Sequence, residues 1–351
     1  MRIGILGFGK FGQALGGLLE EGGVPFLAMD PVAQVPAGCR AGNLEGLLAG
    51  ADYLALAVPI RALPGVLDAV APRLDPAQVV FDVASVKVLP AQWMAERLGR
   101  QPHVGVHPLF GPVSLVRAER PLRTVVCAAP GHDQAANQVA GLFRTLGCEV
   151  LAQTPEDHDR VMATTHALTF FLAKGLLQMG AGADLPFAPP SFHAIQRTLE
   201  SVREDGGHLF TGIQNLNPFA FEARAALLQA LQAIDAGLAE PGGGAEVPEL
   251  LAIPDLGQRS PALHEAREMI DALDQELVTL LARRAELSRR AGRAKQAMGA
   301  PVLDPGREAS LLRARRLWAQ AAGMDPDVAE GVFQEILRGS RKTQGTRPAA
   351  I

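Results

Sequence analysis

Arg284 is the first residue in this chain that invites a chemical reading. From Ala262 to Met298 apolar residues recur with a heptad rhythm: Leu263, Ala266, Ile270, Leu273, Leu277 and Leu280, then Leu287, Ala291, Ala294 and Met298. Arg284 stands where that seam should carry another apolar side chain. A guanidinium taken out of water is costly unless an anion or carboxylate meets it. Arg284 has company, because Arg267, Lys295, Asp304, Arg307, Glu308, Ser340 and Gln344 surround it in the sequence. Asp304 and Arg307 can also be read as the solvated cap of a helix.

A second constellation opens the chain. Arg2–Leu6 reads as a short apolar strand, followed at once by Gly7-Phe8-Gly9-Lys10-Phe11-Gly12. An amphipathic helix from Gln13 to Glu21 comes next, and Asp30 closes a second apolar strand. That context is the one a dinucleotide-binding fingerprint requires. Gly7 allows the turn, Gly9 lets a pyrophosphate approach the backbone, and Gly12 permits close helix–strand packing. The phosphates sit on the helix N-terminus. Asp30 suits a ribose 2′-hydroxyl and repels a 2′-phosphate, so NAD is expected rather than NADP. Its plainer reading is a turn residue before Pro31. Val58 and Pro59 end a later strand where the cofactor would lie.

These residues need a frame to hold them. Tyr53–Val58, Val79–Val83, His103–His107 and Arg123–Ala128 are apolar runs bounded by turn signals, so they read as further strands. The expected frame is an α/β Rossmann-type nucleotide-binding domain over 1–153, followed by an all-α dimerisation and substrate domain over 154–239. Asp157 to Gly180 reads as one long helical segment. The Gly- and Pro-rich stretch 240–260 is a linker, and 261–345 forms a C-terminal all-α domain. The tail after Gly345 reads as disordered.

Two motifs fall at the carboxyl ends of expected strands, where open α/β sheets place their ligands. They are Asp82-Val83-Ala84-Ser85-Val86-Lys87 and Gly105-Val106-His107-Pro108-Leu109-Phe110-Gly111-Pro112. With the glycine fingerprint, they make the first 237 residues resemble the prephenate dehydrogenases. The resemblance implies NAD-dependent oxidative decarboxylation of prephenate. His107 would accept the proton of the ring hydroxyl, a task suited to a neutral imidazole. Ser85 would hold that hydroxyl or orient the ring. Lys87 is either an electrostatic support or a solvated loop lysine. His166 matches a family histidine facing the site and could equally be a core histidine. The family usually carries a carboxylate-binding arginine on the second helix. Here His193 stands in its place with Arg197 one turn later, which leaves prephenate against arogenate open.

The C-terminal set resembles the all-helical chorismate mutases, from about Pro261 to Gly345. Chorismate is a dianion that rearranges within itself, so such an enzyme works by holding the compact conformer and stabilising charge at the breaking ether bond. The resemblance implies that Arg284 and a partner chain's Arg267 hold the two carboxylates. It gives Lys295 and Gln344 the ether oxygen and Glu308 the ring hydroxyl, with Asp304, Arg307 and Ser340 completing the polar shell. Geometry supports a two-chain site independently. On one helix, the 28 positions from Arg267 to Lys295 span about 42 Å at ~1.5 Å per residue, beyond any small dianion. Arg284 and Lys295 lie only about 16 Å apart by the same rise, nearly on one face. An intertwined homodimer resolves this.

Taken together, the expectation is a bifunctional enzyme of tyrosine biosynthesis, taking chorismate to prephenate and then to 4-hydroxyphenylpyruvate. The alternative keeps a prephenate or arogenate dehydrogenase and makes the C-terminal helices a non-catalytic dimerisation or sensing module. A nucleotide-sensing regulator would bind NAD without hydride transfer. The net charge of −4 gives no reason to expect nucleic acid or a membrane surface as partner. Cys39, Cys127 and Cys148 lack metal-ligand spacing and an even framework, which suits a reducing cytoplasm and no metal. No signal peptide is expected, since a strand and glycine loop begin at residue 2.

Overall fold

The computed structural model describes residues 1–119, 121–181, 190–203, 208–238 and 263–345. The chain divides into two compact units, Met1–Leu115 with Pro121–Pro254, and Val116–Arg120 with Asp255–Ile351.

The first unit begins with alternating strands and helices: β1 (Ile3–Leu6), α1 (Lys10–Glu21), β2 (Phe26–Met29), α2 (Leu44–Ala49), β3 (Tyr53–Leu56), α3 (Leu63–Val70), β4 (Val79–Asp82), α4 (Val88–Leu98) and β5 (His103–Pro108). After α5 (Pro112–Val116) come β6 (Leu122–Ala128), α6 (Asp133–Thr145) and β7 (Cys148–Ala152). The strands form one sheet in the order β2-β1-β3-β4-β5-β6-β7. All neighbours pair in parallel except β5 and β6. Every residue of β4 and β5 is buried, as expected where helices cover both faces of a parallel sheet. The side chains alternate between two cores. Ile3, Ile5, Phe81 and Val104 pack with Leu15, Leu19, Val139 and Phe143 on one face. Leu54, Leu56 and Val80 pack with Leu63, Leu67 and Met94 on the other. Each such fully buried side chain contributes about 1.5–3 kcal/mol. The chain moves outward from β1 to β2, then crosses to β3 on the other side of β1. The switch point therefore opens a crevice at the carboxyl ends of β1 and β3.

The expected strands are present, and β7 adds one that had not been anticipated. Beyond it run α7 (Pro155–Met162), a π-helical turn (Ala163–Ala167), α8 (Leu168–Gln178), α9 (Pro190–Arg203), α10 (His208–Leu216) and α11 (Ala220–Leu238). Thr154 caps α7, its hydroxyl oxygen accepting the Asp157 N–H at 3.1 Å. The expected single helix over 157–180 is thus interrupted by a π turn, a local widening often found at functional sites.

The second unit holds α12 (Leu263–Ala297), α13 (Pro305–Ala321) and α14 (Pro326–Gly345). Along α12, Ile270, Leu273, Leu277 and Leu280 are all more than half exposed, so the heptad seam has no cover there among the described residues. Among the described residues, no helix is long and apolar enough to cross a membrane.

Of the two readings of Lys87, the solvated lysine is excluded, because its side chain is 1 % exposed, and that burial also keeps it from touching a substrate. Its ammonium donates to the buried Asp82 carboxylate and to the Val106 carbonyl at 2.7 Å. Gly105 makes room for the pair, since a Cβ there would stand 3.3 Å from Lys87 Cδ and 3.6 Å from Asp82 Oδ2. Burial pushes the Asp82 pKa up, and the Lys87 charge opposes that rise. Lys87→Met strands the carboxylate and should cost about 3–5 kcal/mol of unfolding free energy in urea. The double variant with Asp82→Asn should recover part of that loss. An unchanged single variant would show that the pair is not what holds the strand end.

Candidate active sites

The glycine loop leaves the end of β1 in a shape only glycine permits. Gly7 has φ +97°, and a Cβ on it would lie 2.5 Å from the Ala57 carbonyl oxygen. A Cβ on Gly12 would lie 2.2 Å from the Gly7 carbonyl oxygen. Gly9 is different, because a Cβ there would meet nothing within 4 Å. That open position precedes the first turn of α1, where a pyrophosphate can reach the helix N-terminus. Asp30 follows β2 and accepts N–H bonds from Phe8 at 2.6 Å, Val32 at 2.8 Å and Ala33 at 2.7 Å. Burial raises its pKa, but the three donors together outweigh that, and the carboxyl is held below its usual range. A fixed anion beside an open, glycine-cleared helix N-terminus fits a dinucleotide whose ribose carries a free 2′-hydroxyl.

Half-buried Val58 and exposed Pro59 follow β3 across the crevice. Lys10 is exposed at the start of α1, and the Phe11 ring lies 6.4 Å from that of Phe110. Phe8 departs from its expected role as a cofactor contact. Its ring is buried and stacked on Phe26 at 6.5 Å, and its N–H goes to Asp30. It anchors the loop from beneath.

His107 lies near the carboxyl end of β5, on the same edge of the sheet. Its Nδ1 is 2.8 Å from Nε2 of His158, whose own Nδ1 is 2.7 Å from Asp159 Oδ1. Asp159 also accepts the Lys87 and Val88 N–H groups at 2.8 and 2.9 Å. The carbonyl of Asp159 accepts from the Asn217 amide at 2.8 Å. With the carboxylate accepting, His158 donates from Nδ1 and accepts at Nε2. His107 then donates from Nδ1 and keeps a bare lone pair on Nε2. Burial first, then the charges of His158, His166 and Lys87, hold the His107 pKa well below the ordinary imidazole range. The result is a neutral, oriented base.

The π turn brings His166 alongside, its ring nearly parallel to His107 at a centroid distance of 6.1 Å. Burial and His158 push its pKa down to about 4. Ser85, half-buried in the loop after β4, makes no hydrogen bond to His107 among the described residues. The side chains of His193 and Arg197 lie outside the described residues. His158 and Asp159, which the structure joins to His107, were missed by sequence reasoning, since an Asp-His-Asp run near the start of a helix reads as ordinary N-terminal charge.

The second unit gathers its polar residues along α12 and α14. Arg284 Nη1 donates to Ser340 Oγ at 2.6 Å, and Ser288 Oγ donates to the same oxygen at 3.1 Å. Gln344 packs on Gly292, where a Cβ would fall 3.0 Å from Gln344 Cγ and 3.1 Å from its Cα. The Gln344 Oε1 is buried without a hydrogen-bond partner among the described residues. Lys295 donates to the Val302 carbonyl at 2.6 Å. Glu308, on α13, accepts from Arg341 Nη1 at 2.9 and 2.7 Å. Asp304 takes the capping role, with Oδ1 accepting the Arg307 N–H at 2.9 Å, and Arg307 is exposed. For these two residues the structure favours the cap over the polar shell. The Arg267 side chain lies outside the described residues. No carboxylate meets Arg284 among the described residues, and burial, followed by the charge of Arg315, lowers its pKa.

Comparison with known proteins agrees with this division. Residues 37–151 match the family model described as prephenate dehydrogenase, nucleotide-binding domain, and residues 266–345 match chorismate mutase type II. The 4-amino-4-deoxyprephenate dehydrogenase of Streptomyces pristinaespiralis is 32 % identical over 223 residues, covering 60 % of this chain and 74 % of that protein. The T-protein of Haemophilus influenzae is 43 % identical over 79 residues, 22 % of this chain and 21 % of that protein. This chain therefore matches only about a fifth of the T-protein's length. A crystal structure of prephenate dehydrogenase from A. aeolicus, in complex with hydroxyphenyl propionate and NAD+, superposes with a TM-score of 0.55 at 15 % identity, over 82 % of this chain and 98 % of that one. The chain belongs to the prephenate dehydrogenase family and carries a type II chorismate mutase region at its C-terminal end.

The depressed histidines make stability depend on pH with a definite sign. His107 and His166 stay neutral in the fold and take up protons near pH 6.5 once unfolded. Stability is full above that pH and should fall between about 6.5 and 4, by at most about 1.4 kcal/mol per pH unit for each histidine. Urea unfolding at pH 7, 6 and 5 checks this, and His166→Asn should flatten the slope.

Proposed function

We propose that the chain is a bifunctional cytoplasmic enzyme of tyrosine biosynthesis. It rearranges chorismate to prephenate, then oxidises and decarboxylates prephenate to 4-hydroxyphenylpyruvate with NAD. The observation that carries the second step is the Asp159–His158–His107 chain beside the dinucleotide crevice. His107 Nε2 accepts the hydrogen bond of the ring 4-hydroxyl and takes up its proton as hydride leaves the ring carbon. The carboxylate departs as CO2, its electron pair aromatises the ring and leaves a phenoxide oxygen, and the proton returns to that oxygen from His107. The nicotinamide, when bound, supplies the hydride acceptor. The positive charge that develops on His107 is met through His158 by the Asp159 carboxylate, the usual logic of an oriented base. His166 closes the other side of the His107 ring and keeps water from it. Ser85 stands on the same sheet edge, within the loop that would meet the hydroxyl. His193 and Arg197 remain the candidates for the side-chain carboxylate of prephenate.

For the first step, Arg284 with Ser340 binds one carboxylate, Lys295 and Gln344 serve the ether oxygen, and Glu308 serves the ring hydroxyl. The Arg284 guanidinium, half-buried with no carboxylate beside it among the described residues, supports this reading, because a plain dimerisation zipper does not need it. The chain works as a homodimer. The uncovered leucines of α12 favour a second copy, and Arg267 and Lys295 lie too far apart on that one helix to share a ligand.

The deciding experiment adds chorismate and NAD to the purified protein and follows chorismate loss together with NADH absorbance. Both signals should move. Loss of chorismate without NADH would leave the mutase and remove prephenate as the oxidised acid. Lys295→Ala should abolish chorismate loss and spare oxidation of supplied prephenate. His107→Asn should lower oxidation by roughly two decades or more with NADH binding kept. Near-normal oxidation in that variant would take His107 out of the mechanism.

A further inference from the structure

Arg315 on α13 belongs to none of the roles described so far, yet its surroundings are unusual. Its guanidinium lies 4.4 Å above the Trp318 ring and 5.4 Å from that of Phe333. Its Nε is buried and has no hydrogen-bond partner among the described residues. No carboxylate pairs with it there either, whereas the adjacent Arg316 is paired with Asp327 and Glu330. Phe333 and Ser340 are seven residues apart on α14, two turns along one stripe. Arg315 therefore stacks against the same face of α14 that receives Arg284 at Ser340. The two guanidiniums feel one another, since the Arg315 charge helps to lower the Arg284 pKa. Two partly desolvated cations facing one helix stripe without a counter-ion are unfavourable alone, and a dianion reverses the sign.

We propose that Arg315 is a further anion-binding residue of the mutase site, sharing with Arg284 the task of holding a small dicarboxylate. This rests on the mutase reading above. The aromatic faces fix the plane of the guanidinium, so little rotamer freedom is lost when the carboxylate arrives. Arg315 as a whole is only half-buried, so its guanidinium keeps N–H groups with which to donate to a carboxylate.

The test uses the full chain and compares Arg315→Met with Arg315→Lys. Arg315→Met should raise the KM for chorismate about tenfold or more, as expected for a lost charged contact. Its kcat should change less, and prephenate oxidation should stay at the level of the unaltered chain. Arg315→Lys should recover part of the KM by restoring the charge without the stacked plane. Raised ionic strength should weaken chorismate binding less in Arg315→Met than in the unaltered chain. An unchanged KM with an earlier melt or loss of the dimer would overturn the proposal and make Arg315 an interface residue. If the unaltered chain does not consume chorismate, the mutase reading itself fails, which is a separate result.

Discussion

The buried carboxylate of Asp159 is the point from which the first site is built. A fully buried anion needs donors on every side, and here they come from three parts of the fold. Lys87 gives its N–H from the loop after β4, Val88 from the start of α4, and His158 its Nδ1–H from α7. Each such charged hydrogen bond is worth about 1.5–3 kcal/mol. The carboxylate thus ties the helical segment to the sheet edge and sets the tautomer of His158. Through His158 it sets that of His107. Lys87 serves twice, because its side chain neutralises Asp82 while its N–H serves Asp159. Two buried carboxylates are held by one short loop, and His107 follows from that arrangement.

The second unit solves the opposite problem. In the first, Lys87 and Asp159 meet partners supplied by the chain itself, and Asp82 meets Lys87 through Oδ1 while its Oδ2 has no hydrogen-bond partner among the described residues. In the second, Arg284 and Arg315 are desolvated without a carboxylate among the described residues. The contrast matches the chemistry proposed for each. An oxidation that moves a proton needs one neutral base in one orientation, and the hydrogen bonds from Asp159 through His158 to His107 supply that orientation. A rearrangement within a dianion needs charge waiting for charge, and leaving that charge uncompensated stores the attraction for the ligand.

Much of this was legible in the residues. Gly7, Gly9 and Gly12 declared the crevice because only glycine tolerates the backbone approach that Gly7 and Gly12 require. The apolar runs gave the strands of a sheet buried on both faces. Cys148–Ala152 escaped notice because Glu149 interrupts its apolar run and its last two residues are exposed. The solvated reading of Lys87 failed because the sequence shows Asp82 five residues earlier but not that the fold buries the two side chains together. His158 and Asp159 were hidden for a related reason. Their spacing fits the first turn of any helix, and only the fold brings that turn against β5. The π turn leaves no trace in the apolar pattern, yet it carries His166 to the His107 ring.

The relay also limits what the first site can select. A neutral His107 with a bare Nε2 is an acceptor, and it takes a hydrogen bond from a ring hydroxyl or a ring amine alike. The Streptomyces relative is a dehydrogenase of the 4-amino compound, and it is similar to this chain over most of its length. In the reading proposed here, the choice of a hydroxylated ring therefore does not come from the base. It comes from supply, because the mutase region joined to the same chain makes only the hydroxylated dianion. A fused chain of this kind can keep a general acceptor at its oxidising site and leave the identity of the ring to the step before.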